Sequence, residues 1–178
     1  NRYDGRSPAT RQPNGIDQTL SRLARAGEII RISRGMYVVP VRGKFGSYPP
    51  SPEKVVRAYS KAKRKRIVPH GAVAANRLGL TTQQPIRQVY LTPVTRRLEL
   101  GTNPVEVRQA PEWQTVLPNQ PAGEAIRAMA YMGKERAKES AVKIRRVLGP
   151  AEWAKIKRAR SRLPEWVVKA VDEAERVA

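Results

Sequence analysis

The stretch RLARAGEIIRISRGMYVVP, Arg22 to Pro40, constrains the fold more than any other part of the chain. A cationic helical pattern stops at Gly27 and gives way to two short apolar alternations separated by Ser33-Arg34-Gly35. Just upstream, Ile16, Leu20, Leu23 and Ala24 recur at i, i+4, i+7 and i+8, the spacing of one face of an amphipathic helix. Asn14 and Asp17 suit its first turn and Gly27 its end. Its opposite face carries Gln18, Ser21, Arg22 and Arg25, side chains able to read base edges and phosphates. Ile30 and Ile32 alternate with Arg31, and Met36 and Val38 with Tyr37 and Val39, which predicts a hairpin with Arg34 at its tip.

Helix followed by hairpin, in that order, reads as the second half of a winged helix-turn-helix. In that arrangement a helix lies in a DNA major groove and the wing touches the neighbouring backbone. Residues 1–15 are rich in Arg, Pro, Gly and Asn, and Pro8 and Pro13 oppose a long helix there. They offer little cover for the Ile16/Leu20/Leu23 stripe. Either the chain is trimmed at its N-terminus or the module lacks a first helix.

Charge points the same way. The chain carries 35 Lys+Arg against 15 Asp+Glu, a net charge of +20, and the expected partner is a polyanion. Residues 1–50 hold 9 basic and 3 acidic groups, residues 51–70 hold 7 and 1, and residues 134–162 hold 11 and 3. Residues 71–133 are near balance, at 6 against 4, and the last 16 residues reverse sign, at 2 against 4. No apolar run approaches the roughly 20 residues of a membrane span, so no membrane association is expected. Cysteine is absent, which excludes disulfides and thiolate metal sites and fits a cytoplasmic protein.

Residues 41–52, with Gly43, Gly46, Pro49, Pro50 and Pro52, read as a linker or domain boundary. Ser51 is placed as the cap of a helix over 52–63, with Val55, Val56, Tyr59 and Ala62 inward. Lys61, Lys63, Arg64, Lys65 and Arg66 follow. Cations at a helix C-terminus complement its dipole, but five in six positions exceeds that need and predicts phosphate contacts. Ile67 and Val68 read as a short strand, and HGAVAANRLGL as a closely packing helix. Strands are expected over 89–91, 97–100 and 105–108, with a turn at Gly101-Thr102-Asn103. Residues 111–121 read as loop, and helices as 122–132, 135–147, 150–161 and 164–177.

Catalytic chemistry finds little support. The only histidine, His70, sits at a helix start, where capping a backbone amide is its expected role. Glu135 and Glu139 share a helix face but have Arg136, Lys138 and Lys143 as ordinary ion-pair partners. No phosphate-cradling glycine loop, nucleophile elbow or zinc spacing is present. Trp153 and Trp166 fall within apolar helical stripes and read as core. No cofactor or metal is expected, and the chain reads as non-enzymatic.

Three stretches in sequence, RLARAGEIIRISRGMYVVP, HGAVAANRLGL and QVYLTPVTRRLELG, resemble the AbiEi-type antitoxins of bacterial type IV toxin–antitoxin systems. The resemblance runs from about Ile16 through at least Arg146. It implies an α+β protein: an N-terminal winged helix-turn-helix over 1–45, then a mixed α+β antitoxin domain over 50–178 ending in several helices. It further implies an autorepressor that binds inverted repeats of double-stranded DNA in its own promoter and counteracts, directly or indirectly, a nucleotidyltransferase-like toxin. Carried onto this chain, the recognition helix is Ile16–Ala26 and the wing Arg31–Tyr37. The expected DNA-binding residues are Gln18, Ser21, Arg22, Arg25, Arg31 and Arg34. Lys61, Lys63, Arg64, Lys65, Arg66, Lys143, Arg145, Arg146, Lys157, Arg158 and Arg160 are the expected phosphate or partner contacts. Two alternatives stand beside this reading. One is an RNA-binding or ribonucleoprotein-associated module, whose 134–162 block follows an A-form backbone. The other is an enzyme modifying a toxin or nucleotide, for which the sequence offers no carboxylate pair to hold a metal.

Overall fold

A computed structural model describes residues 15–33, 35–94 and 105–177. It is a mixed α+β structure that divides into two units, residues 1–50 and 51–178. Arg34, the predicted strand 97–100 and the predicted turn Gly101-Thr102-Asn103 lie outside the described residues.

The first unit opens with α1, Gly15–Arg25. Gly27 ends it at φ 74°, while the Glu28 amide donates back to the Leu23 carbonyl at 3.0 Å. This is how a glycine past the last turn satisfies otherwise orphaned carbonyls. Strands β1, Ile30–Ser33, and β2, Met36–Val38, pair antiparallel in the register Ile30↔Val38 and Arg31↔Tyr37. Gly35 takes the left-handed φ of 70° that the tight turn requires. Ile32 is the one buried residue among those described in this unit, and α1 buries none.

The linker expected over 41–52 is instead partly folded. Strands β3, Val41–Gly43, and β4, Gly46–Tyr48, form a second hairpin closed by Lys44 and Phe45. Its glycines sit at the turn, where they permit a tight reversal, and Val41 faces Tyr48 across the ladder. The glycines mark a turn within an element, and only Pro49, Pro50 and Ser51 remain as the connection to the next helix.

The second unit begins with α2, Pro52–Lys63. Ser51 occupies the position before its first turn but makes no side-chain capping bond. Val55 and Val56 are buried, Tyr59 is half-buried, and Ala62, expected inward, is exposed. A three-stranded sheet follows. Its central strand β6, Val89–Thr92, pairs antiparallel with β5, Val68–Pro69, and parallel with β7, Glu106–Gln109. The 111–121 segment, expected as loop, contains a 3-10 turn at Glu112–Thr115.

Helix α3, Gly71–Arg77, packs on α4, Pro121–Met132, and α4 also meets α5, Ala137–Val147, and α6, Pro150–Arg158. Helix α7, Glu165–Val177, closes over α5. The core has Ile126, Met129, Ile144, Trp153, Ile156 and Val167 at its centre, each at most 2% exposed. Trp166 packs at its margin, edge-on to Trp113 at 5.7 Å. Among the described residues no helix is long and apolar enough to cross a membrane.

Two glycines set the spacing. A Cβ on Gly71 would overlap the backbone carbonyl of Arg127, and one on Gly123 would overlap the Leu117 carbonyl. Neither obstacle is a flexible side chain, so the backbones themselves must separate. Gly71→Ala is therefore expected to cost about 3 kcal/mol, at the upper end for overpacking. Gly149→Ala, with open space around it, is expected to cost less than about 1 kcal/mol. Urea denaturation followed by circular dichroism checks both; equal midpoints for the two variants would contradict the close-packing account.

Candidate functional site

Gln18, Ser21, Arg22 and Arg25 occupy successive turns of α1 at i, i+3, i+4 and i+7, and all four are exposed. Arg31 is exposed on β1 opposite Tyr37. None of the three arginines pairs with a carboxylate among the described residues. Arg22 and Arg25 also stand in the last turn of α1, where cations oppose the negative end of its dipole. The first unit thus presents one polar, cationic helix face and one cation on the adjacent hairpin.

The second unit treats its basic blocks differently. Arg64 ends α2 in the left-handed conformation, φ 50°, and the Lys65 amide donates to the Ser60 carbonyl at 3.0 Å. Lys61, Lys63, Arg64, Lys65 and Arg66 are all exposed. Of these, Arg66 pairs with Glu112 at 3.2 Å and donates to Thr115 Oγ1 at 3.4 Å. In the 134–162 block, four of the six expected phosphate contacts already have carboxylate partners. Lys143 pairs with Glu139 at 2.7 Å, Arg160 with Asp172 at 3.2 Å, and Lys157 and Arg145 share Glu175 at 2.7 and 3.4 Å. Arg145 also lies over the Trp153 ring, 5.6 Å from its centroid. Arg146 and Arg158 are exposed and have no such partner among the described residues. Exposed pairs of this kind contribute about 0–1 kcal/mol and exchange readily. Arg145, half-buried on Trp153, is held in the bundle.

His70 caps α3: its Nδ1 accepts a hydrogen bond from the Ala72 amide at 3.3 Å, and its ring meets Tyr131 edge-on at 5.6 Å. Burial, with Arg108 close by, holds its pKa below the ordinary value against the opposing pull of Glu106.

One residue carries a signal that sequence reasoning passed over. Arg127 is 2% exposed, yet neither terminal guanidinium nitrogen has a hydrogen-bond partner among the described residues. Buried polar groups are nearly always partnered. Burial alone pushes its pKa down to about 10, a penalty of roughly 3 kcal/mol on the charged form. The group nevertheless remains charged near neutral pH. It lines two adjoining cavities, of about 380 and 520 Å³, between α4, the β5–β6 edge and helices α2 and α3. The clue lay in PAGEAIRAMAYM, where a single cation interrupts a run of small and apolar residues.

Residues 9–156, well over half of the chain, match a family of unknown function, DUF6088. The chain belongs to that family. The matched stretch spans both units and includes α1, both hairpins and Arg127. No curated protein and no solved structure matches the chain.

The capping role of His70 gives a pH dependence with a definite sign. Its folded pKa lies below the ordinary 6.5, so the unfolded chain takes up the proton first as pH falls. The stability His70 contributes is complete above about 6.5 and is lost as pH drops through the folded value. Protonation at Nδ1 also removes the acceptor of the cap. His70→Asn keeps a capping acceptor and should flatten the dependence of the urea midpoint on pH between about 5 and 7. An unchanged slope in that variant would place the titrating group elsewhere.

Proposed function

We propose that the protein is a DNA-binding antitoxin and transcriptional autorepressor of a type IV toxin–antitoxin operon. In this reading α1 and the β1–β2 hairpin act as recognition helix and wing of a winged helix-turn-helix. The reading rests on the exposed face of α1. Gln18, Ser21, Arg22 and Arg25 project from one side, and among the described residues no carboxylate pairs with the arginines. The dimensions of an α-helix fit the major groove, where Arg binds guanine O6 and N7 and Gln binds adenine. Arg31 is placed on the wing for a phosphate, and Arg34 shares that role by sequence position. The exposed Lys61, Lys63 and Lys65 suit sequence-independent phosphate contacts. The sequence resemblance to AbiEi-type antitoxins supplies the biological setting: inverted repeats in the protein's own promoter and a nucleotidyltransferase-like toxin counteracted, directly or indirectly.

Fluorescence anisotropy at about 0.15 M salt tests the reading with three probes: duplex bearing the promoter repeats, a scrambled duplex, and structured RNA of equal length. The repeats should bind tightest; tighter binding of the RNA would favour a ribonucleoprotein role and overturn the proposal. Arg22→Ala or Arg25→Ala should cost about 1–3 kcal/mol on the repeats and relax specificity at one position. Lys65→Ala should weaken both duplexes alike and lower the salt slope by about one.

A further inference from the structure

We propose that the second unit holds a binding site for a small organic phosphate, a phosphate monoester on a flat, nucleoside-sized body, with Arg127 at its floor. The inference does not rest on the DNA-binding reading.

An arginine buried to this degree, with neither terminal nitrogen partnered among the described residues, carries a desolvation cost. The nearby carboxylates do not remove it. Glu124, one turn before Arg127 on α4, pairs with Arg77. Glu53 is exposed and lines the same cavities, yet the terminal nitrogens of Arg127 make no hydrogen bond to it. Both terminal nitrogens are buried and unpartnered among the described residues, and that fork matches two oxygens of a phosphate or carboxylate.

The two cavities meeting at Arg127 differ in character. The one of about 520 Å³ is polar, with Arg57, Lys61, Ser60 and Asn119 around it. Glu53 and Glu124 line it as well, so three cations face two carboxylates and the lining keeps a positive excess that suits an anion. The one of about 380 Å³ is walled by Ala72, Val73, Pro85 and Val89, with the rings of His70 and Tyr90. Both volumes lie within the range of small-molecule sites, whose walls are mostly apolar with a few placed polar groups. A ligand spanning the pair would seat its phosphate on Arg127, Arg57 and Lys61 and its flat body between Tyr90 and the α3 face. Inorganic phosphate meets only the first half of that description, and an uncharged nucleoside only the second.

The test uses the full chain and four probes at matched ionic strength: adenosine monophosphate, inorganic phosphate, adenosine and sodium chloride. Thermal unfolding reports binding to the folded state, and calorimetric titration gives affinities. Adenosine monophosphate should raise Tm most, phosphate less, and adenosine and chloride little. Arg127→Met replaces the guanidinium with an apolar group. It should leave the ligand-free Tm unchanged or higher and weaken adenosine monophosphate at least tenfold. If that variant does not fold, the exposed pair Arg57→Gln with Lys61→Gln serves instead, with a several-fold loss expected. Glu53→Gln should tighten binding by removing a nearby negative charge. Arg22→Ala with Arg25→Ala should leave it unchanged, which separates this site from the DNA-binding face.

Three outcomes would overturn the proposal. One is the absence of any Tm rise with adenosine monophosphate or phosphate beyond that of chloride. Another is equal affinity in wild type and the Arg127 or Arg57/Lys61 variants. The third is a fall in ligand-free Tm with Glu53→Gln without tighter binding, which would make Glu53 the partner of Arg127.

Discussion

The close approach of α3 to α4 is the contact on which the second unit depends. Gly71 lets the first turn of α3 sit against the backbone of α4 at Arg127, and Gly123 lets α4 sit against the Val116–Leu117 segment. Helices that touch through backbone need small residues on the shared faces. Ala72, Ala74 and Ala75 on α3 and Ala122, Ala125 and Ala128 on α4 supply them, all nearly inaccessible. Leu117 and Asn119 adopt left-handed backbone, at φ 48° and 56°, a conformation non-glycine residues occupy only at some cost. That strain lies in the segment against which Gly123 packs. Fixing α4 in this position also fixes Arg127, whose long side chain must then emerge beside the sheet and α2 rather than into solvent.

On the opposite side of α4, a second constraint organises the helical tail. Glu175 on α7 accepts from Trp153 Nε1 at 2.8 Å while pairing with Lys157 and Arg145. Glu152 on α6 accepts from the Ala122 amide at 3.0 Å and so caps α4 from another helix, since Gln120 makes no capping bond of its own. Lys155 in turn pairs with Glu152. These partners hold both carboxylates below the usual carboxylate range, with the lysine hydrogen bond the leading cause in each case. Three of the four acidic residues that reverse the charge of the last segment, Asp172, Glu173 and Glu175, are therefore partners of the basic block that precedes them. They join α5, α6 and α7 across the Trp153 core.

How much of this was legible depended on whether the deciding information was local. The helix ending at Gly27, the Ile30–Val38 hairpin and the four C-terminal helices follow from periodicity and from glycine and proline punctuation, and those signals lie within each segment. The same punctuation misled over 41–48, because glycines in a two-residue turn and glycines in a linker look alike in one dimension. Ala62 fits the apolar pattern of α2 yet faces solvent: how far the helix is covered depends on the elements packed beside it. Arg127 required still more. A lone cation in an alanine-rich helix reads as a solvated side chain until the packing of α3, the sheet and α2 is known. The ion pairs of Arg145, Lys157 and Arg160 likewise join residues 12 to 30 positions apart, beyond the reach of any helical spacing.

Net charge is consequently a poor guide to where a polyanion would bind. The +8 of residues 134–162 is the largest block in the sequence, but four of its six expected phosphate contacts already face carboxylates. A phosphate binding there would have to displace those partners and would recover little from the exchange. On α1, on the hairpin and at the end of α2, Arg22, Arg25, Arg31, Lys61, Lys63 and Lys65 have no such competitor among the described residues. Counterion release scales with the phosphates actually neutralised rather than with formal charge. If the protein binds nucleic acid as proposed, its salt dependence should reflect these cations, fewer than the +20 total implies. Arg127 stands apart from both groups. Its charge is withdrawn from solvent, beside cavities of small-molecule size.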